Sequence, residues 1–374
     1  MAKTHDEQID FANLAHQHFL YASEIEQELD SVINNAQFIL GSKVEALEER
    51  LQTFTRAKFA ITCSSGTDAL VLALMALDIG TNDEVITTPF TFIATAEAIA
   101  LVGARPVFVD IDEQTYNIDA SKIEAAITAR TKAIIPVSLY GQPSDLSAIE
   151  AIAKAHQLKV IIDGAQSFGA TFEGISDSAL GDLSCTSFFP AKPLGCYGDG
   201  GAVFTNDKAL AQKIKQLRIH GQNERYKHKY IGLGARLDAI QAAVLLVKLA
   251  HYEDDLRARQ EVAQKYTNAL SDANVITPFI ANNRTSAWAQ YSIRVKNRDA
   301  LQEALKRHSI PTAVHYPLVL HLQECFAHLG YKMGDFAVAE RISNEILSLP
   351  MNPYLSDAQI EKIANVIVKT CASH

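Results

Sequence analysis

The chain of 374 residues is poor in paired cysteines and in long apolar runs. Its five cysteines are odd in number and form no Cys-x-x-Cys pair, so they indicate neither a disulfide framework nor a zinc knuckle and fit a reducing cytoplasm. No stretch reaches the roughly 18 uninterrupted apolar residues of a membrane span, and the first residues lack the basic start and apolar run of a secretion signal. We therefore expect a soluble, cytoplasmic protein that does not bind membranes.

An excess of basic residues is also absent, because 34 Lys and Arg stand against 43 Asp and Glu, for a net charge of −9. This balance argues against nucleic acid as a partner, since a phosphate-binding surface needs a basic stripe. It leaves room for a small anionic ligand that is held by a few cations. The sequence has no repeats, low-complexity tracts or Gly/Ser linkers, and its length suffices for two hydrophobic cores.

Short β-branched runs alternate with helical patterns between about residues 58 and 205. Such apolar runs, separated by helical crossovers, predict an α/β fold with strands buried on both faces of a mainly parallel sheet. The last two runs leave little room for a helix between them, so we expect a mixed sheet. The runs are FAITC (59–63), EVITT (84–88), PVFVDI (106–111), AIIPVSL (133–139), KVIID (159–163), SCTSFF (184–189) and GAVFT (201–205).

A long helical pattern follows over residues 237–270, with a possible break near His251. Its length suits a connector between two domains. Beyond it we expect a strand at AQYSIRV (289–295), a helix at LQEALKRH, a strand at PTAVHYP (311–317) and a terminal helix. We therefore predict a large domain over residues 1–255 and a smaller α+β domain over residues 256–374.

Two strand ends carry polar side chains that suit a ligand site. In CSSGTDAL a strand stops at Cys63 and a helix begins near Thr67, so hydroxyls and free backbone N–H groups meet there. This arrangement can bind a phosphate or carboxylate, although a plain helix N-cap is the favoured explanation when the segment is taken alone. In IIDGAQSFGA, Asp163 ends an apolar strand at the edge where open α/β sheets place ligands, and its plainer explanation is a turn residue.

The segment FFPAKPLGCYGDGG contains one lysine, Lys192, with no carboxylate within six residues on either side. Ser187 precedes it on a predicted strand. An anion cradle, a strand-end aspartate and an isolated lysine match the needs of pyridoxal phosphate, which has a phosphate, a ring nitrogen and an aldehyde that condenses with an amine. Phe92 is our candidate for the aromatic face of the ring, although on its own it is better explained as a core residue.

Several of these segments together resemble sugar-nucleotide aminotransferases of the DegT/DnrJ/EryC1/StrS family, which have the aspartate aminotransferase fold (fold type I). The resemblance covers nearly the whole chain and requires the motifs in order at fixed spacing. It implies that pyridoxal 5′-phosphate is the cofactor, with pyridoxamine 5′-phosphate as its intermediate form. The motifs are CSSGTDAL, PFTFIATAEAI, VIIDGAQSFGA, CTSFFPAKPLGCYGDGGAVFTND and RLDAIQAAVL.

The resemblance also implies a role for each matching residue. Lys192 matches the Schiff-base lysine and, with Asp163 at the pyridine nitrogen, forms the catalytic pair. The cofactor-binding set comprises Ser65, Gly66, Thr67, Phe92, Asp163, Gln166, Ser187 and Lys192, and no metal is expected. The family is dimeric, and the loop KHKYIGLGARLD (227–238) matches the one that completes the partner's site. Where relatives usually have Asn-Ser-Arg, with the Asn reaching the cofactor phosphate, this loop has Gly234, Ala235 and Arg236.

Within the family, SLYGQPSD, TAVHYP and SLPMNPYL most resemble members that aminate C3 of UDP-2-acetamido-2-deoxy-3-oxo-glucuronate, a step toward diacetamido uronic acids of bacterial surface polysaccharides such as lipopolysaccharide O-antigen. Arg236, His315 and Tyr316 match that enzyme's substrate residues, and glutamate is the expected amino donor. Taken alone, Arg236 is better explained by an ion pair with Asp238 or a nearby acid, and the His-Tyr pair by a strand end. A C3 or C4 aminotransferase of neutral dTDP- or UDP-linked keto-deoxyhexoses remains the alternative.

Three other activities fit less well. Dehydratases of the same fold carry His where the Schiff-base lysine belongs, so Lys192 favours transamination. A nicotinamide dehydrogenase would need a third glycine in GLGARL and a preceding sheet strand. A non-catalytic, cofactor-binding regulator would need a DNA-reading domain or a basic patch, and the sequence shows neither.

Overall fold

A computed structural model describes residues 9–372 of the chain. Its main sheet has seven strands, and three pairs of short strands lie outside it. The strands are β1 (Phe59–Cys63), β2 (Glu84–Thr87), β3 (Arg105–Phe108), β4 (Thr131–Ile134), β5 (Lys159–Asp163), β6 (Thr171–Phe172), β7 (Ile175–Ser176), β8 (Leu183–Ser187), β9 (Gly201–Thr205), β10 (Gln222–Glu224), β11 (Lys227–His228), β12 (Tyr291–Arg294) and β13 (Ile346–Leu349).

Helices cover both faces of the main sheet and build most of the C-terminal part. They are α1 (Leu14–Asn35), α2 (Ser42–Thr55), α3 (Gly66–Ala76), α4 (Ala94–Leu101), α5 (Leu146–His156), α6 (Lys208–Leu217), α7 (Ala239–Ala250), α8 (Tyr252–Ala269), α9 (Arg298–Arg307), α10 (Ala337–Glu345) and α11 (Asp357–Ala372). Within the described residues, no helix is both long enough and apolar enough to span a membrane.

The main sheet has the strand order β1-β9-β8-β5-β4-β2-β3. β9 pairs antiparallel with both of its neighbours, whereas the other adjacent pairs are parallel. The expected mixed, mainly parallel sheet is therefore confirmed. Because β1 and β8 are both antiparallel to β9, all strands except β9 run in the same direction. The carboxyl ends of β1, β2, β5 and β8 consequently meet at one edge, where the predicted ligand site lies.

Two apolar layers sandwich this sheet. On one face α3, which is apolar around most of its circumference, packs with α6 against buried residues of β1, β5, β8 and β9. On the other face α2 and α7 pack against β1 and β9. Burial of about 25 cal/mol for each Å² of apolar surface makes these layers the main source of stability. They hold the strand ends in fixed relative positions.

The long helical pattern does break at His251, between α7 and α8. The start of α8 packs with the large-sheet core through Tyr252, whereas its second half packs in the C-terminal core through Val262 and Tyr266. The domain division predicted at residue 255 falls inside this helix and stays a prediction.

The C-terminal core contains an antiparallel pair, β12 with β13, covered by α9 and α11. The strand predicted at residues 311–317 is wrong, because only Ala313 forms an isolated bridge, with Ser348. Prolines at both ends of that segment restrict its pairing, and β12 already pairs along the full length of β13. This places His315 and Tyr316 in a loop that faces the large sheet.

Candidate active site

The turn after β1 forms an anion cradle against the end of β8. Ser65 caps α3 by accepting a hydrogen bond from the backbone N–H of Asp68, so the N–H groups of Gly66 and Thr67 precede the first intrahelical bond. A Cβ atom added at Gly66 would lie 2.6 Å from the Ser187 Cβ atom, so only glycine fits there. The Ser64 and Ser65 hydroxyls donate to Asp68, at 2.6 and 2.9 Å. The structure thus brings Gly66, Thr67 and Ser187 together, while the hydroxyl of Ser65 serves the helix cap.

Asp163 lies at the carboxyl end of β5 and is 5 % exposed. Its Oδ2 accepts a hydrogen bond from the Thr95 hydroxyl at 2.7 Å, and its Oδ1 accepts one from the Ala165 N–H at 3.2 Å. Burial raises the pKa of this carboxyl, while the Thr95 and Ala165 hydrogen bonds and the nearby Lys192 charge oppose the rise. The site therefore combines a desolvated carboxylate with a small, defined set of donors.

Lys192 lies in the loop between β8 and β9, which folds back on itself. Its backbone N–H donates to the Phe189 carbonyl, and that of Cys196 donates to Phe188. Among the residues that the structure describes, none forms a hydrogen bond or ion pair with the Lys192 amine. Burial lowers the pKa of this amine, and Asp163 partly offsets the effect. A lower pKa favours the unprotonated form of a lysine, which is the nucleophile. The isolation of Lys192 seen in the sequence thus persists in the folded chain.

Polar and aromatic side chains around Tyr316 lie near Asp163. The Gln166 side chain donates to the Tyr316 hydroxyl at 3.1 Å and accepts from the Tyr140 N–H at 2.7 Å. The Tyr316 ring centroid lies 6.1 Å from that of Phe92, whose side chain is 54 % exposed. This exposure at the sheet edge rules out the core explanation for Phe92 and leaves one ring face open to a ligand.

His315 lies next to Tyr316 and is held by two hydrogen bonds. Its Nδ1 lies 2.9 Å from the Ser348 hydroxyl, and its carbonyl accepts a hydrogen bond from the Tyr140 hydroxyl. Burial and the Lys192 charge lower the pKa of His315 to about 4, so the ring is neutral at physiological pH. Asp163 and His315 therefore lie near the Lys192 amine, and Tyr316 links this group to Gln166 and Phe92.

Arg236 lies apart from this cluster but next to the anion cradle, because the carbonyl of its neighbour Ala235 accepts a hydrogen bond from the Ser64 N–H at 3.1 Å. Between residues 9 and 372 the Arg236 guanidinium has no ion-pair partner, so the simpler explanation by a pair with Asp238 is wrong. A Cβ atom added at Gly234 would lie 3.0 Å from Cε1 of His220. The imidazole thus occupies the space beside Gly234 that a larger residue there would use.

Two residues of this neighbourhood escaped prediction from the sequence. Thr95 lies in the first turn of α4, where a threonine is typical of helix starts and gives no sign of contact with Asp163. Lys248 is 3 % exposed on the apolar helix α7 and donates to the Gly195 carbonyl in the Lys192 loop at 2.8 Å. A lysine inside an otherwise apolar stretch is the signal that could have revealed Lys248.

Comparison with known proteins identifies the family of this fold and site. A family model described as "DegT/DnrJ/EryC1/StrS aminotransferase family" matches residues 20–368. The chain belongs to the DegT/DnrJ/EryC1/StrS aminotransferase family. The predicted fold type I architecture and aminotransferase assignment are thereby confirmed.

Individual members of the DegT/DnrJ/EryC1/StrS family cover almost the whole chain. The chain is 49% identical over 95% of its length to the UDP-2-acetamido-2-deoxy-3-oxo-D-glucuronate aminotransferase of Pseudomonas aeruginosa, of which 98% is covered. It is 48% identical over 94% of its length to a protein of Geobacillus stearothermophilus named pleiotropic regulatory protein, of which 96% is covered.

Solved structures of the DegT/DnrJ/EryC1/StrS family have the same fold. An aminotransferase from Brucella abortus superposes with a TM-score of 0.94 at 42% identity, covering 97% of this chain and 100% of its own. The protein ntda from Bacillus subtilis, solved with bound cofactor PMP, has a TM-score of 0.90 at 28% identity and covers 99% of this chain and 87% of its own.

The residues present in this DegT/DnrJ/EryC1/StrS member fit the cofactor that its sequence predicts. The cradle at Gly66 is too narrow for a Cβ atom, which suits close approach of a phosphate to backbone N–H groups. The buried Asp163 suits a protonated ring nitrogen, and the unpaired Lys192 amine suits an aldehyde. The open face of Phe92 suits a flat ring.

Proposed function

We propose that the protein transfers the amino group of glutamate to C3 of UDP-2-acetamido-2-deoxy-3-oxo-glucuronate with pyridoxal phosphate as cofactor. The products are 2-oxoglutarate and the 3-amino sugar nucleotide, so the exchange balances without an oxidant or reductant. The observation that carries the proposal is the partly buried Lys192 amine, which has no ion-pair partner among residues 9–372 and lies near Asp163 in an aminotransferase fold. The substrate follows from the name of the Pseudomonas aeruginosa relative.

Eight residues would hold the cofactor, in the roles predicted from the sequence. Gly66, Thr67 and Ser187 would bind the phosphate through backbone N–H groups and a hydroxyl, with Ser65 supporting them as the cap of α3. Asp163 would bind the ring nitrogen, and Lys192 would bind the aldehyde carbon. Phe92, which is 54 % exposed, would cover one face of the ring. Gln166, whose side chain is fixed by Tyr140 and Tyr316, would approach the ring hydroxyl.

Bound pyridoxal phosphate supplies an aldehyde that carries the amino group between the two substrates and a ring that accepts the electron pair of the substrate carbon. Lys192, once released, moves the proton at that carbon, and the lowering of its pKa by burial favours the unprotonated amine that accepts this proton. Asp163 keeps a negative charge beside the ring nitrogen. His315, neutral because of its low pKa, offers a hydrogen bond without repelling the lysine charge.

Arg236 is the residue that favours an acidic sugar. Its guanidinium has no carboxylate partner within residues 9–372, so a carboxylate from the substrate would find it free. Arginine binds carboxylates through two parallel hydrogen bonds. Glutamate and a uronic acid both carry a carboxylate and occupy the site in turn, so one arginine can serve both. A neutral keto-deoxyhexose would leave this charge unmatched during half of the cycle.

The working unit that we propose is a cytoplasmic homodimer in which residues 227–238 complete the partner's site. In a single chain this segment exposes large apolar side chains, with Ile231 92 % and Tyr226 beside it 79 % exposed. A partner surface would bury them and bring Arg236 and Gly234 toward the second cofactor. The amino sugar would then enter synthesis of surface polysaccharide, including O-antigen of lipopolysaccharide.

A half-reaction tests both activity and substrate. Purified protein mixed with pyridoxal phosphate should absorb visible light, lose that absorbance with glutamate, and regain it with a keto sugar nucleotide. The panel should contain the UDP-linked 3-oxo-glucuronate, its neutral 3-oxo-glucose counterpart, and a dTDP-linked 4-keto-6-deoxyhexose. We expect the acidic sugar to restore the absorbance fastest. Faster recovery with a neutral sugar would support the alternative substrate class, and no visible absorbance would contradict the aminotransferase mechanism and favour a regulatory role like that named for the Geobacillus relative.

A further inference from the structure

The contact between Thr95 and Asp163 links two segments that are 68 residues apart in the chain. Thr95 is 1 % exposed, and its hydroxyl lies 2.7 Å from Asp163 Oδ2. The other oxygens near this hydroxyl are more distant, namely Thr91 Oγ1 at 3.2 Å and the Phe92 carbonyl at 3.4 Å. A hydroxyl has one proton to donate, and an ionised acceptor at the shortest distance receives it. The proton therefore points to Asp163.

We propose that Thr95 is a positioning residue for the proposed reaction, whose hydroxyl fixes the Asp163 carboxylate in the orientation that receives the ring nitrogen of pyridoxal phosphate. The Ala165 N–H holds Oδ1 and Thr95 holds Oδ2, so the two bonds together define the plane of the carboxylate. Each oxygen keeps a lone pair for the cofactor. The inference rests on the proposed function and adds a residue to which that function gives no role.

Thr95 also connects the aspartate to the aromatic face of the site. Its backbone N–H and its hydroxyl both lie 3.4 Å from the carbonyl of Phe92, three residues earlier. A shift of Thr95 would therefore move Phe92 and Asp163 together. One small side chain thus spaces the group expected to cover the ring and the group expected to bind its nitrogen.

The charge on Asp163 depends on the same contact. Burial raises the pKa of Asp163, and the Thr95 hydrogen bond is the first of three contacts that lower it, before the Ala165 N–H and the Lys192 charge. Cys185 and Tyr316 also face this carboxylate, but burial raises the pKa of each, so both stay neutral near pH 7. Once Lys192 is committed to the cofactor, Thr95 and Ala165 are the groups of this chain that still lower the pKa of the carboxyl, beside the ring nitrogen that it would bind.

The test measures equilibrium binding of pyridoxal phosphate, by absorbance or fluorescence, against pH. Thr95→Val keeps the shape but removes the hydroxyl, and Thr95→Ser restores it. We expect the valine variant to bind about tenfold more weakly near neutral pH. The loss of affinity on the acid side should begin about one pH unit higher, because a less stabilised carboxylate protonates sooner. The serine variant should return both values toward wild type, and the titration of the cofactor itself cancels in the comparison.

Two controls separate this role from packing. Thr87→Val removes a buried hydroxyl that donates to the Ile135 carbonyl at 2.9 Å. It should lower stability but leave unchanged the pH at which affinity for pyridoxal phosphate falls on the acid side. In an Asp163→Asn background, Thr95→Val should add no further loss of affinity, because its partner charge is gone. The inference alone is overturned if Thr95→Val does not shift the pH at which affinity falls on the acid side, or if it causes the same tenfold loss of affinity in the Asp163→Asn background. Wild-type protein that binds no pyridoxal phosphate overturns the proposed function and this inference with it.

Discussion

Lys192 and Arg236 are two cations for which the described residues 9–372 supply no ion-pair partner, but they lie in very different surroundings. Lys192 is in a closed loop, in which a Cβ atom at Gly195 would lie 2.4 Å from the Pro190 carbonyl oxygen. Arg236 lies in the segment of residues 227–238, in which Ile231 is 92 % exposed. Burial lowers the pKa of Lys192 and thereby prepares an amine for chemistry. The difference indicates that the Lys192 loop is complete within one chain, whereas the segment around Arg236 awaits another surface or ligand.

The largest effect should come from removing Lys192. Lys192→Ala deletes both the amine that would bind the cofactor and the proton carrier, so transamination should fall by about a thousandfold or more. The visible absorbance of the wild type with pyridoxal phosphate should also vanish. Lys213→Ala, which removes an amine paired with Asp78 on the surface of α6, is the matched control. An unchanged spectrum in Lys192→Ala would remove the basis for the site.

The sequence predicts the Lys192 side of this comparison better than the Arg236 side. The strands at 59–63, 159–163 and 201–205 occur where they are predicted, because apolar β-branched runs end at turn residues there. β13 was missed and a strand at 311–317 was predicted instead, since both segments are apolar and only long-range pairing decides between them. The contact between Thr95 and Asp163 likewise spans 68 residues, and no local pattern encodes it.

Arg236→Gln should produce the next largest effect. Loss of a charge-assisted contact to a substrate carboxylate is expected to lower kcat/KM for glutamate and for the acidic sugar by about thirtyfold. The change should leave the affinity for pyridoxal phosphate nearly unaltered. Arg225→Gln, two residues before this segment and in contact with the exposed Tyr226, is the control for a general loss of charge. If both variants lose activity equally, Arg236 has no specific role in binding a substrate carboxylate.

Lys248 provides a pH test of how firmly the Lys192 loop is held. Burial lowers the pKa of Lys248 to about 8 from an ordinary value of 10.5. The folded protein therefore releases this proton earlier than the unfolded chain, so the free energy of unfolding should rise between about pH 8 and pH 10.5. Lys248→Met should lack this rise, so the free energy of unfolding of the wild type should increase by about 3 kcal/mol relative to the variant over that range.

Urea unfolding at a series of pH values measures the Lys248 contribution directly. Lys265→Met is a suitable control, because Lys265 lies on the surface and hydrogen bonds with Asp357 raise its pKa instead of lowering it. The Lys265→Met variant should still show the increase in the free energy of unfolding between about pH 8 and pH 10.5. Parallel stability curves for wild type and Lys248→Met would show that burial does not lower the pKa of Lys248 in the folded protein.

The smallest effect should distinguish Gly234→Asn from Gly234→Ala. Either substitution brings a Cβ atom to 3.0 Å from the His220 ring, so both should cost the same small amount of stability, about 1 kcal/mol. Only asparagine adds a hydrogen-bond donor near the proposed phosphate site of the partner. We therefore expect the asparagine variant to bind pyridoxal phosphate about threefold more tightly than the alanine variant, about the gain from one modest hydrogen bond. Equal affinities would mean that this segment does not reach the phosphate, and the cradle at Gly66 would then bind it without help from a second chain.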